Sequence, residues 1–194
     1  MKGIVIGLLI VGLTGTHEAV GKLPASDLVV QRGSLTFNVH ATLVGGFVGK
    51  TDSVMGEFHG GPDIVAAAGW VETPVASLRT GNGKRDKDMR RAMQATDHPT
   101  VRFDLTRASV MSAESRDTVT LVLHGTFDLR GVARPVDLPA VAVIDGNAIH
   151  VHSDFAISMH DYTFPRLTKL LGTIVVHDSV QVHADLELTS AMPH

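Results

Sequence analysis

His150 and His152 stand two residues apart, a spacing that puts both imidazoles on one face of an extended chain. His183 and Asp185 repeat that interval near the end of the sequence. Histidine pairs of this kind hold metals in some barrels. A catalytic metal also needs a third ligand and supporting hydrogen bonds, and the spacing supplies neither. The histidines alternate with Ile149, Val151 and Phe155, so they are read as facing solvent, and no metal is expected. Arg85-Asp86 is a second charged pair. It either contacts a charged group of a ligand or forms an ion pair and cap at a helix start, and the helix dipole favours the cap. Gly45-Gly46-Phe47-Val48-Gly49-Lys50-Thr51 resembles a phosphate loop but is one residue short between its glycines, with no βαβ pattern around it, and is read as a turn. There is no Gly-x-Ser-x-Gly elbow, no His-Glu-x-x-His helix and no paired-carboxylate site. Ser, His and Asp are abundant, but abundance does not make a triad. The chain has no cysteine, which removes thiol catalysis, thiolate metal sites and disulfides. The chain is therefore not expected to be an enzyme.

The elements that carry these residues are mostly strands. Alternation at period two marks a strand with one buried face. Leu35, Phe37, Val39 and Ala41 alternate with polar residues, as do Val101, Phe103 and Leu105. Val119 to Leu129 repeats the pattern, Ile149 to Ile157 follows, and Val180 to Leu188 is the cleanest case. Less regular strands are expected at Val54 to His59, Ile64 to Arg79 and Arg134 to Ile144. Gly60-Gly61-Pro62-Asp63 reads as a turn. Asp145-Gly146-Asn147 reads as a hairpin, because Gly accepts the positive φ such turns need. One helix is expected from about Lys84 to Gln94, with Asp86 and Asp88 near its start and Arg90 and Arg91 near its end, and a short apolar turn at Leu167 to Leu171. About eight strands joined by short turns suggest a sandwich or an up-and-down barrel.

At 194 residues the chain has a one-domain length, and 44% hydrophobic residues suffice for a core. A formal net charge of −3 with no long run of one sign makes nucleic acid a poor partner. The start reads as an export signal: Met1-Lys2, then an uncharged run from Gly3 to Gly15 rich in Ile, Leu, Val and Gly. That run is shorter than the roughly 20 residues a spanning helix needs. Residues 1–21 are thus expected to be a signal peptide cleaved after Gly21, and 22–194 the mature domain.

Two stretches carry a family likeness. One is Ser77-Leu78-Arg79-Thr80-Gly81-Asn82-Gly83-Lys84-Arg85-Asp86, followed by His98-Pro99-Thr100-Val101-Arg102-Phe103. The other is Gly125-Thr126-Phe127-Asp128-Leu129-Arg130-Gly131-Val132-Ala133-Arg134-Pro135-Val136. Both resemble the YceI-like family of polyisoprenoid-binding proteins, and the likeness runs from about Ser34 to Leu188. It implies an all-β, antiparallel, lipocalin-like barrel of about eight strands whose interior takes a long apolar lipid such as a polyisoprenoid or isoprenoid quinone. It implies no other cofactor and a periplasmic or secreted location.

By that resemblance the inward apolar residues would bind the ligand: Phe37, Val39, Leu78, Phe103, Leu121 and Leu123, with Phe127, Phe155 and Ile157. Met89 and Met93 would close one end, a role that suits an adaptable thioether. Arg85 and Asp86 would be headgroup or structural residues. Long-chain lipid is then the expected partner, with transient membrane contact for exchange, and a dimer is left open. Two other readings remain: a stress or interaction protein with a filled barrel, and, more weakly, a metal-dependent enzyme using the His150/His152 face. Trp70, the only tryptophan, is expected beside the cavity or in the core.

Overall fold

The computed structural model describes residues 27–42, 45–59, 64–169 and 174–191. The expected signal segment and the Gly60 to Asp63 turn lie outside the described residues, as do Leu170 and Leu171 of the expected turn at Leu167 to Leu171, where Thr168–Lys169 forms a short strand instead. The strands are β1 (Leu28–Ala41), β2 (Gly45–Thr51), β3 (Met55–His59), β4 (Ala68–Pro74), β5 (Thr100–Ala113), β6 (Thr118–Leu129), β7 (Val132–Asp145), β8 (Ala148–Ser158), β9 (Thr168–Lys169) and β10 (Ile174–Ser190). The helix α1 (Gly83–Ala92) stands between β4 and β5.

β1 pairs with β10, which closes the sheet into an eight-stranded antiparallel barrel. β2 and β3 together fill one strand position. Leu35 faces Thr51 and Val29 faces Glu57, so no residue is gained or lost across the break at Asp52 to Val54. The read of Gly45 to Thr51 as a turn is corrected: Phe47, Gly49 and Thr51 pair with Val39, Phe37 and Leu35. Glycines hid the alternation, and Gly49 is small because the Phe37 ring occupies the space a side chain would need. Ile64 to Arg79 is likewise not one strand. β4 is flanked by 3-10 turns at Ile64–Ala66 and Val75–Ser77, and Pro74 at its end has no N–H to extend the ladder.

A knot of hydroxyls seals the wall where β2 parts from β4. Thr51 Oγ1 lies 2.7 Å from Ser77 Oγ, and Thr73 Oγ1 donates to the Ser53 carbonyl at 2.7 Å. Ser77 Oγ donates to the Pro74 carbonyl at 2.7 Å. Burying hydroxyls without partners is costly, and every one of these is satisfied.

α1 begins where Asn82 caps it, its side-chain oxygen accepting from the N–H groups of Lys84 and Arg85, both at 3.1 Å. Asp86 lies in the first turn and Arg90 and Arg91 in the last, the order the helix dipole favours. The β6–β7 hairpin turns on Arg130 and Gly131, both at positive φ, as a two-residue reverse turn requires. Arg130 then ties this end of the barrel together. Its Nε donates to the Ala92 carbonyl at the end of α1, and its Nη1 to the Thr163 hydroxyl, both at 2.9 Å.

Candidate functional site

The inward positions of the strands enclose an apolar cavity of about 140 Å³ along the barrel axis. Leu35, Val71, Phe103, Leu121, Phe155 and Leu186 line it, each from a different strand, with Leu138 from β7. Alternation sets their direction. Leu121 and Leu123 point in, so Thr120, Val122 and His124 between and beside them point out. Phe127 anchors the helix-capped end, with edge-to-face contacts to Phe155 at 6.0 Å and Tyr162 at 5.8 Å. Burial pushes the Tyr162 hydroxyl above its usual pKa, so it stays neutral.

Of the residues expected to line the lumen, Phe103, Leu121, Leu123, Phe127 and Phe155 surround this cavity. Phe37, Val39 and Ile157 are not in its lining. Val39 is buried with Val180 and Val182 in a separate cluster, against which Phe37 and Ile157 pack. Leu78 and Met93 are buried beneath the helix in one cluster with Phe103 and Phe127, and Met89 packs against it. The sequence list omitted Phe58, Ile64, Leu138, Ile149, Leu186 and Leu188, which do line the cavity. Leu186 and Leu188 were reachable from the alternation of β10. Ile64 was not, because it sits on a 3-10 turn with no period to read.

Arg85 and Asp86 lie outside the lumen lining and converge on Thr80. Asp86, 5% exposed, accepts from the Thr80 N–H and hydroxyl. Arg85 donates Nε to Thr80 Oγ1 at 2.9 Å and Nη2 to its carbonyl at 2.7 Å, and its guanidinium lies 4.5 Å from the Phe47 ring centre. The pair locks the approach to α1. Trp70 is neither in the core nor beside the cavity. Its neighbour Val71 faces in, and Trp70 lies on the outer wall beneath Arg102, 4.7 Å from the ring centre.

The histidines also lie outside. His152 Nδ1 is 2.7 Å from Asp185 Oδ1, and its Nε2 is 2.7 Å from Asp154 Oδ2. Asp154 also bonds His183 Nδ1. These carboxylates raise the His152 pKa, Asp185 most, and His152 in turn lowers that of Asp154. Among the described residues, no group of three or more His, Cys, Asp or Glu is placed to hold a metal ion.

A closed antiparallel barrel, capped by a helix at one end and apolar within, belongs to the lipocalin-like class. The YceI-like domain family matches residues 27–188, and the chain belongs to that family. Among curated proteins none matches the chain. BcnA of Burkholderia cenocepacia is similar in fold, with 14% identity and a TM-score of 0.68 over 80% of this chain and 95% of that one. A polyisoprenoid binding domain from Saccharophagus degradans, implicated in plant cell wall breakdown, gives 14% identity and 0.67 over 84% and 98%. The Campylobacter jejuni YceI protein gives 16% and 0.60 over 74% and 85%.

Proposed function

We propose that this chain binds a long apolar lipid, of the polyisoprenoid or isoprenoid quinone class, in the barrel lumen. The observation that carries the reading is the cavity itself, walled by apolar side chains from every strand position of the barrel. A void of this size takes a molecule about as large as benzene. A longer chain therefore enters by displacing lining side chains, and Leu35, Leu121, Leu123, Leu186 and Leu188 have rotamers to give. Each CH₂ moved from water into such a lumen gains about 0.8 kcal/mol. The same tail is equally dry in a bilayer, so exchange depends on a small difference between two apolar solvents.

The likeness to a polyisoprenoid binding domain supports the ligand class, and family membership with the apolar start at Gly3 to Gly15 supports a periplasmic or secreted carrier that touches membranes only to exchange cargo. Among the described residues no helix is long and apolar enough to cross a membrane. Among the described residues the lumen lining is predominantly apolar binding surface.

Native purification without detergent, organic extraction and mass spectrometry test the reading. A co-purifying long-chain lipid near one per chain is the expected result. An empty extract, together with no uptake of isoprenoid quinone from vesicles, would overturn it in favour of a filled barrel serving as a stress or interaction protein.

A further inference from the structure

Ser109, His124 and Asp137 follow no sequence motif, but strand register gathers them on the outer wall, away from the lumen. His124 faces Arg107 on β5 and Asp137 on β7. His124 Nδ1 lies 2.6 Å from Asp137 Oδ1, and His124 Nε2 lies 2.8 Å from Ser109 Oγ. Arg107 Nη1 donates to the same Ser109 oxygen at 2.9 Å.

A β-bulge makes this possible. Leu105 faces in, and simple alternation would turn Arg107 and Ser109 inward as well. The register shift between Leu105 and Arg107 inserts Thr106, which throws Arg107 and Ser109 outward and Ala108 inward. The Thr106 hydroxyl donates to the His124 carbonyl at 2.9 Å and holds the bulge against β6.

With the ring in its neutral form, a hydrogen on Nδ1 is donated to the Asp137 carboxylate and Nε2 is left as the acceptor. Ser109 Oγ accepts from Arg107, and in that form its own proton is free to be donated to Nε2. A nucleophile bonded to a base that a third group orients is the arrangement acyl transfer needs. Val122 lies directly across from Ser109, and Pro139 is paired with Val122 on the next strand, an apolar strip beside the hydroxyl.

We propose that Ser109, His124 and Asp137 form a serine esterase site on the barrel wall, acting on carboxylic esters whose acyl group is apolar. Ser109 Oγ bonds to the acyl carbon while its proton passes to His124 Nε2. The oxyanion forms beside the Arg107 guanidinium, which supplies positive charge where negative charge develops. The carbon–oxygen bond to the alcohol breaks, and the alcohol takes the proton from Nε2. Water then attacks the acyl carbon and gives its proton to Nε2. The bond to Oγ breaks, Oγ recovers that proton, and the carboxylic acid leaves. Asp137 is a positioning residue: its side chain is 70% exposed and bonds the base, His124, rather than the nucleophile.

The test uses the full chain with p-nitrophenyl butyrate and, separately, with a fluorophosphonate that modifies activated serines. The expected result is stoichiometric phosphonylation of Ser109, located by peptide mass spectrometry, and ester hydrolysis that falls by about 100-fold or more in Ser109→Ala and in His124→Gln. The proposal is overturned if wild-type and Ser109→Ala proteins hydrolyse the ester equally, or if Ser109 stays unmodified. The labelling decides the matter on wild-type protein even if a variant fails to fold. Neither readout depends on what the lumen binds.

Discussion

The carboxylate of Asp86 accepts two hydrogen bonds from Thr80, one from its N–H at 2.8 Å and one from its hydroxyl at 2.5 Å. Thr80 precedes α1 and Asp86 lies in its first turn, so the contact sets where the helix enters over the end of the barrel. Chiefly through the Thr80 hydroxyl, it holds the Asp86 pKa below the ordinary 3.8. A depressed carboxylate stabilises the fold fully above its unfolded value and loses that contribution as pH falls through the folded one. Asp86→Asn should therefore lower the melting temperature at neutral pH. The gap to wild type should narrow in acid below 3.8, and thermal melts across pH 2 to 7 check it (about one melt per unit, to bracket the shift).

His152 titrates in the opposite sense. Asp185 and Asp154 hold its two nitrogens, so its pKa is raised above 6.5. On the same face, His150 and Glu187 flank it in register, His183 shares Asp154, and the β7 position across from it is the uncharged Val141. A raised imidazolium contributes fully below 6.5 and ceases to do so as pH climbs through the folded value. NMR titration should place the His152 midpoint above 6.5, and Asp185→Asn should bring it down. An unchanged midpoint in that variant would contradict the assignment of Asp185 as the main cause.

Gly49 is a packing residue. A Cβ there would lie 2.0 Å from Phe37 Cζ. Gly49→Ala must push the ring aside, at about 1–3 kcal/mol for such overpacking. In a Phe37→Leu background the same change should cost distinctly less, and chemical denaturation of the four proteins measures the coupling. Equal costs in both backgrounds would mean that the ring is not the obstacle.

Phe127 joins the lumen to its cap. It is 7% exposed and meets both Phe155 and Tyr162 edge to face. Phe127→Ala should cost about 3–5 kcal/mol, and Phe127→Leu less, because it leaves a smaller void. Urea unfolding with unchanged m-values checks the size; a loss under about 1 kcal/mol would mean that the capped end collapses freely.

Much of the barrel was legible because its strands obey a two-residue period. β5 at its start, β6, β8 and β10 alternate as the sequence does, and the turn at Gly146 sits where Asp145-Gly146-Asn147 placed it. What escaped did so for physical reasons. β2 hides its inward face behind Gly49, whose missing side chain is filled by the ring of Phe37, its register partner on β1. Size and apolar character do not show which end of each strand the cavity reaches, so Val39 and Leu78 lie in packed clusters beyond its lining. Ser109, His124 and Asp137 meet only because Thr106 is bulged, and nothing in the residue types of β5 announces a bulge.

Closure through β1 and β10 has a practical consequence. Leu28 pairs with Ser190, and the Ala191 N–H donates to the Asp27 carbonyl at 2.8 Å. A few glycines would splice residue 191 to residue 27 without moving a strand, and new ends could be cut at the exposed 114–117 turn. Such a circularly permuted protein would keep every rung of the ladder while carrying its chain ends at a different point on the rim.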